Sequence, residues 1–316
     1  AARRALELAR HDGNPMTLSA ALDAVEASEI DEGNVNAAIA SVMERLALLD
    51  RLPVGRLGDF ERCDTLVMAT ECFIRAGDFG RAAIYAEQLG RVGSEQRAPG
   101  AGQERLVTTR FLTGEWDGCL DAGRLLVATW EANGRPQAGF LVEALACVAV
   151  VQTLRGDPAV DTSWAMCDEL MCNHPSPYRA VFVAACRADA ALAAGRAGEA
   201  LRILDEIALT GWFATIAAAV KAEAAVRCGD PRAGDLLTEA HGLAEGDAYA
   251  KAILLRAEGN LADAQAAFAE LPCPYQEART ALERGGTYAE GAQTTLVALG
   301  LRRSDGPKAN VRGARA

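Results

Sequence analysis

The sequence predicts an all-α protein built as a solenoid of helical hairpins, an α-α superhelix, on two observations. The first is a register. A glycine closes an alanine-rich helical run seven times, at Gly77, Gly114, Gly156, Gly195, Gly229, Gly259 and Gly286, spaced 37, 42, 39, 34, 30 and 27 residues apart. Two residues behind each glycine stand Phe79, Trp116, Pro158, Ala197, Pro231, Leu261 and Tyr288. Five behind it a small residue recurs at Ala82, Cys119, Ala200, Gly234, Ala264 and Gly291, with Asp161 the exception. A period of that length means stacked hairpins, because one hairpin cannot bury its apolar face without a neighbour. The second observation is composition. The chain is 50% hydrophobic but only 5% aromatic, so its core draws on Ala, Leu and Val, and alanine is the strongest helix former. Helix above about two-thirds of the chain and no sheet is the expectation, overriding the usual share of about one-third.

The elements follow in order. Pro15 succeeds the turn Asp12-Gly13-Asn14, and a helix over Val35–Leu52 is ended by Pro53. Leu66, Ala69, Phe73 and Ala76 share one face of the helix before Gly77. The polar stretch Gly93–Gln103, with Pro99, Gly100 and Gly102, reads as a long inter-repeat loop. Pro136 precedes a helix over Gln137–Leu154. Its Ala146–Val151 run is β-branched enough for a strand, but the longer helical window and the lack of a partner strand assign it to helix. Pro175 and Pro177 break the chain before Tyr178. Leu201, Leu204 and Ala208 share the next face, and Pro272 and Pro274 bracket Cys273 in the last linker. All eleven prolines fall at such boundaries, where a missing amide hydrogen is tolerated. Residues 1–58 lack the glycine register and read as irregular hairpins continuing the solenoid, 59–300 as the repeats, and 301–316 as a basic flexible tail or linker.

Charge and motifs narrow the chemistry. The net charge of −11 argues against a broad nucleic-acid or anionic-membrane surface. The tail carries Arg302, Arg303, Lys308, Arg312 and Arg315 against Asp305, yet it has no interleaved aromatics to stack on bases. Nine scattered cysteines read as small core residues in a reducing, cytoplasmic compartment. There is no window of 18 uninterrupted apolar residues and no leader pattern, so neither a span nor a signal peptide is expected. Phosphate-loop, G-x-S-x-G and H-E-x-x-H motifs are absent. Cys167, Cys172 and His174 match no common zinc spacing. A binding module is expected, with no enzyme activity, cofactor or metal of its own.

One polar pattern keeps register with the glycines. Six residues before them stand Glu71, Thr108, Asp189 and Glu223; two before stand Arg75 and Arg227, making Glu71–Arg75 and Glu223–Arg227 (i, i+4) pairs. Ordinary surface ion pairs are the plain reading. The sharper one places Glu71, Arg75, Asp189, Glu223 and Arg227 on an inner groove that prefers a cationic or mixed-charge ligand, with charge reversal at Glu223 weakening binding and leaving the fold intact. A second row, Arg187, Lys221 and Lys251, lies eight before the glycines and falls on a different face.

Segments such as Ile74-Arg75-Ala76-Gly77-Asp78-Phe79-Gly80-Arg81-Ala82 and Arg256-Ala257-Glu258-Gly259-Asn260-Leu261-Ala262-Asp263-Ala264 resemble degenerate tetratricopeptide repeats. In that family the residue six before the glycine faces the concave groove. Pro274-Tyr275-Gln276-Glu277-Ala278-Arg279-Thr280-Ala281-Leu282, then Ala298-Leu299-Gly300 and the basic tail, resembles the close of the repeat region in large LuxR-type ATP-binding transcriptional regulators. Similar regions occur in multidomain proteins joining an ATPase to a nucleotide cyclase. The resemblance implies a sensor and scaffold module that binds an inducer or partner protein on its concave face, beside ATPase and DNA-binding domains of a parent protein. The alternative is a free-standing tetratricopeptide-like adaptor that assembles proteins. In either case no membrane and no direct nucleic-acid contact is expected.

Overall fold

The computed structural model describes residues 1–32, 34–95, 102–135, 139, 141–211 and 213–301. Among them are seventeen α-helices, one short 3₁₀ turn and no strand, and helix makes up 80% of the described residues. Three helices come first: α1 Ala2–Asp12, α2 Pro15–Asp31 and α3 Val35–Leu46. Seven hairpins follow: α4 Arg56–Arg75 with α5 Phe79–Glu95, α6 Gln103–Thr113 with α7 Trp116–Ala132, α8 Leu141–Arg155 with α9 Val160–Asn173, and α10 Pro177–Ala193 with α11 Ala197–Asp205. The rest are α12 Ala214–Cys228 with α13 Ala233–Leu243, α14 Ala248–Ala257 with α15 Leu261–Glu270, and α16 Pro274–Arg284 with α17 Tyr288–Ala298.

Each register glycine sits in the turn of one hairpin, and all seven have positive φ, from +58° at Gly286 to +81° at Gly259. A side chain with a Cβ pays about 1–2 kcal/mol for that left-handed backbone, which is why glycine recurs there. At Gly229 (φ +72°) no atom lies within 4 Å of where a Cβ would stand, so the cost of substitution there is conformational alone. Gly229→Val is expected to destabilise by roughly 1 kcal/mol or more, and a thermal melt with unchanged Tm would contradict the assignment. The small residues behind the glycines also find their reason: Ala82, Cys119, Ala200 and Ala264 are fully buried between the helices of their hairpins.

Two boundaries differ from expectation. The helix expected over Val35–Leu52 stops at Leu46 and tightens into a 3₁₀ turn at Leu49–Arg51, which lets both Leu48 and Leu52 reach the interior. α5 extends into the expected 93–103 loop as far as Glu95 and α6 begins at Gln103, while 96–101 lie outside the described residues. The helix expected from Gln137 is described from Leu141, and it contains Ala146–Val151. Of the tail, Leu301 alone is described.

First helices of neighbouring hairpins pack side by side, α6 on α8, α8 on α10, α10 on α12 and α12 on α14. The array then turns back on itself. α16 packs against α6, the Tyr275 ring stacks obliquely on Trp116 at 5.1 Å between centroids, and Arg155 Nε donates to the Leu299 carbonyl at 2.8 Å. A Cβ on Gly77 would strike Leu271 Cδ2 at 2.1 Å, and one on Gly114 would strike Pro274 Cγ at 2.5 Å. Two large apolar clusters record the closure: Phe79 shares one with Leu271 and Cys273, and Trp116 shares the other with Tyr275 and Leu299.

The first three helices carry their own small core around Leu6, Leu22, Val25 and Leu48. Beside it Arg45, fully buried, donates to Asp23 (2.7 Å), Glu26 (3.2 Å), Glu61 (3.0 Å) and Asp64 (2.6 Å). Burial outweighs Arg45 at Glu26 and pushes its carboxyl up from 4.5 to about 7. The folded state therefore holds a proton that the unfolded chain has released between about pH 4.5 and 7, and stability from this group falls as pH rises through that window. Glu26→Gln is expected to flatten the decline in Tm between pH 5 and 7.5; an unchanged slope would remove Glu26 as its source.

Candidate functional site

Five of the seven residues standing six before a register glycine, Glu71, Thr108, Val150, Asp189 and Ile253, line one interior cavity of about 80 Å³. They come from five different first helices, so the register itself builds the chamber: equivalent positions on stacked helices point the same way. Phe111, Phe182, Phe213 and Ile216 supply an apolar wall, and Arg75, Arg105, Glu143 and Asp247 complete a polar one.

The polar wall is a chain of charge-assisted hydrogen bonds. Glu71 pairs with Arg75 Nε at 3.4 Å, the (i, i+4) partner expected from sequence. Arg105 Nη1 bridges Glu71 Oε2 at 3.1 Å and Glu143 Oε2 at 3.0 Å. Arg179 Nε covers the other Glu143 oxygen at 3.2 Å. Burial still pushes the Glu143 carboxyl upward, with Arg105 and Arg179 opposing it. Asp189 accepts from Arg279 Nη1 at 2.7 Å and from Gln276 Nε2 at 3.1 Å. Gln276 also donates to the Tyr249 hydroxyl at 3.1 Å, and burial drives that phenol well up.

Glu223 is placed differently from Glu71 and Asp189. It does not line the cavity and is fully buried. Arg256 grips it in a two-pronged pair, Nε to Oε1 and Nη2 to Oε2, both 2.9 Å. Arg227 Nε adds 2.9 Å to Oε1 and Arg279 Nη2 lies at 3.5 Å. Burial alone would raise its pKa, but the guanidiniums of Arg256, Arg279 and Arg227 hold it well below the usual carboxylate range. With its lone pairs taken by three arginines, Glu223 organises the protein interior and has no free oxygen to offer a ligand. Arg227 faces outward from it, to Glu283 at 2.5 Å. The second row is elsewhere, as the two-residue offset implies: Arg187 pairs with Asp168 and Lys221 with Asp205.

Beside the cavity lies an open groove of about 1170 Å³, walled by the ends of α2 and α3, by Leu209, Thr210, Gly211, Ala214 and Thr215, and by residues 242–251. Arg75 lines both spaces. Arg105, Glu143, Asp247, Arg256, Gln276 and Arg279 are site residues that the glycine register does not single out. A chemical signal marks two of them: Glu143 and Arg256 are charged residues flanked by Val142 and Ala144 and by Leu255 and Ala257 on first helices. Among the described residues no group of three or more His, Cys, Asp or Glu is arranged to hold a metal ion, and no helix is long and apolar enough to cross a membrane. The chain matches no protein-family model and no curated protein.

Proposed function

We propose that the chain is a non-catalytic helical-repeat sensor and scaffold module of a cytoplasmic LuxR-type ATP-binding transcriptional regulator, responding to an inducer or partner protein. The observation that carries this reading is the polar-walled cavity at the axis of the array. Buried ion pairs are a poor source of stability, since well-packed apolar residues serve as well or better. A set of Glu71, Arg75, Arg105, Glu143 and Asp189 around an interior space is therefore better accounted for as a recognition surface. Occupancy of the cavity would act through the first helices that contribute to it and hold or release a neighbouring ATPase. The Pro274–Leu282 segment supports the regulator context through its resemblance, and its Gln276 and Arg279 hydrogen-bond to Asp189 of the wall from behind. Reading the flanking gene tests this: a nucleotide-binding loop motif upstream and a helix-turn-helix downstream are expected, and the absence of both would remove the regulator reading.

The groove of about 1170 Å³ favours the second reading, a protein-assembling adaptor, because it is large enough for a peptide segment. Pull-down with Lys251→Glu and Arg3→Glu on its rim separates the two. Loss of a partner in those variants, with no flanking ATPase, would support the adaptor.

A further inference from the structure

Within the cavity two groups of opposite charge are incompletely met: the Asp247 carboxylate is hydrogen-bonded but has no ion-pair partner among the described residues, and the Arg105 Nε–H has no acceptor. Asp247 is buried, and its carboxylate caps α14, accepting the Ala250 amide on Oδ1 at 2.9 Å together with a hydrogen bond from the Tyr249 amide. Among the described residues no cation lies within ion-pair distance of it, and Arg75 acts on it only at longer range. Arg105, on the same wall, has a buried Nε–H with no acceptor, although its Nη1 is fully engaged with Glu71 and Glu143. A buried donor or acceptor left unpaired carries a desolvation penalty that a complementary ligand removes. Asp247 asks for a cationic donor, Arg105 Nε for an acceptor, and the wall of Phe111, Phe182, Phe213 and Ile216 for apolar surface.

We propose that this cavity is the binding chamber for a small apolar α-amino acid, with its ammonium on Asp247, its carboxylate on Arg105 Nε and its side chain against the aromatic wall. The proposal rests on the sensor reading above and assigns its ligand class. A chamber of about 80 Å³ is roughly half the 150 Å³ that admits benzene. An amino acid of about the same heavy-atom count as benzene therefore needs one wall to yield. Arg75 is that wall, since it alone of the charged lining also faces the groove. Entry past Arg75 would loosen its 3.4 Å pair with Glu71 and shift the end of α4 against the turn at Gly77, which makes occupancy legible outside the chamber.

The test is isothermal calorimetry and thermal shift on the full chain with glycine, L-alanine and L-valine, against isobutylamine and isovalerate, which are valine without its carboxylate and without its amine. At least one amino acid is expected to bind, at least tenfold tighter than either single-charge analogue, because a site built around both groups rejects ligands lacking one. Asp247→Asn, which keeps the cap, and Arg105→Lys, which keeps the charge but has no Nε, are each expected to weaken it at least tenfold. Ile253→Phe, which fills the chamber, is expected to abolish binding. Equal binding of the analogues, or amino-acid binding indifferent to all three variants while they remain folded by circular dichroism, would overturn the proposal. Should the variants unfold, the comparison of valine with its two analogues on the wild-type chain still decides it. No amino-acid binding overturns it as well, and a parallel arm with oligopeptides and sugars keeps the sensor reading separate: a Tm shift there, with none from amino acids, removes only the ligand class.

Discussion

Replacement of Arg45 by methionine is expected to destabilise the first hairpins by about 3–5 kcal/mol, the usual cost of removing one partner from a buried ionic cluster. Four carboxylates converge on this one guanidinium, and Glu26 is as fully buried as Arg45 itself. Without Arg45 the acids of α2 and α4 face each other across a low-dielectric gap. Protonation of Glu26, already poised at about 7, can relieve only part of the repulsion. The loss should be local, since the hydrogen-bond partners of Arg45 among the described residues, Ser19, Asp23, Glu26, Glu61 and Asp64, all lie on α2 and α4. Hydrogen exchange should show amides of α1–α3 exposed while those of α8, α10 and α12 keep their protection. Wild-type protection in α2 of Arg45→Met at pH 7 would mean that the cluster is not what holds these helices.

Glu223→Leu is expected to have a comparable cost, about 3–5 kcal/mol, with a different reach. It strands Arg256, fully buried and left with Gln276 and Thr280 as partners, and it removes one of the two carboxylates facing Arg279. The expectation from sequence that charge reversal at Glu223 leaves the fold intact is corrected by this burial: a lysine there would bring four cations together. The double variant Glu223→Leu with Arg256→Met should cost less than Glu223→Leu alone, because it leaves no orphan charge. A double variant less stable than the single would show that the pair contributes net stability. The pH signature is opposite in sign to that of Glu26. The depressed pKa of Glu223 gives stability that is in place above the ordinary carboxylate value of 4.5 and is lost as pH falls below it.

What could be read from sequence was what is decided within one hairpin. A left-handed turn residue is a local requirement, so Gly77 through Gly286 announce all seven hairpins, and helical periodicity places Glu71 and Asp189 on the inner stripe. Side-chain contacts between hairpins leave no such trace. Asp189 meets Arg279 ninety residues later, and Glu223 meets Arg256 thirty-three residues later. The first spacing belongs to no helix and no repeat, and the second joins unlike register positions, six before Gly229 and three before Gly259, so sequence alone leaves Glu223 looking like a groove residue. The 3₁₀ tightening after Leu46 was hidden for a related reason: it serves Leu48 and Leu52, whose burial is a matter of packing and not of local propensity.

The return of the last hairpin onto α6 and α7 changes what kind of folding unit this is. An open array behaves as a one-dimensional chain of neighbours, in which each repeat can fray or be deleted at the cost of one interface. Here Trp116, Gly114 and Arg155 hold residues of α16 and α17 at sequence separations well above a hundred. Those contacts close a long loop whose entropy must be met before they reward it. The hairpins can therefore form early and locally, while the ring they make is completed late and all at once. Removing α16 and α17 would not shorten the array by one unit. It would convert a closed, cooperative body into an open one and uncover Asp189 and Trp116 together.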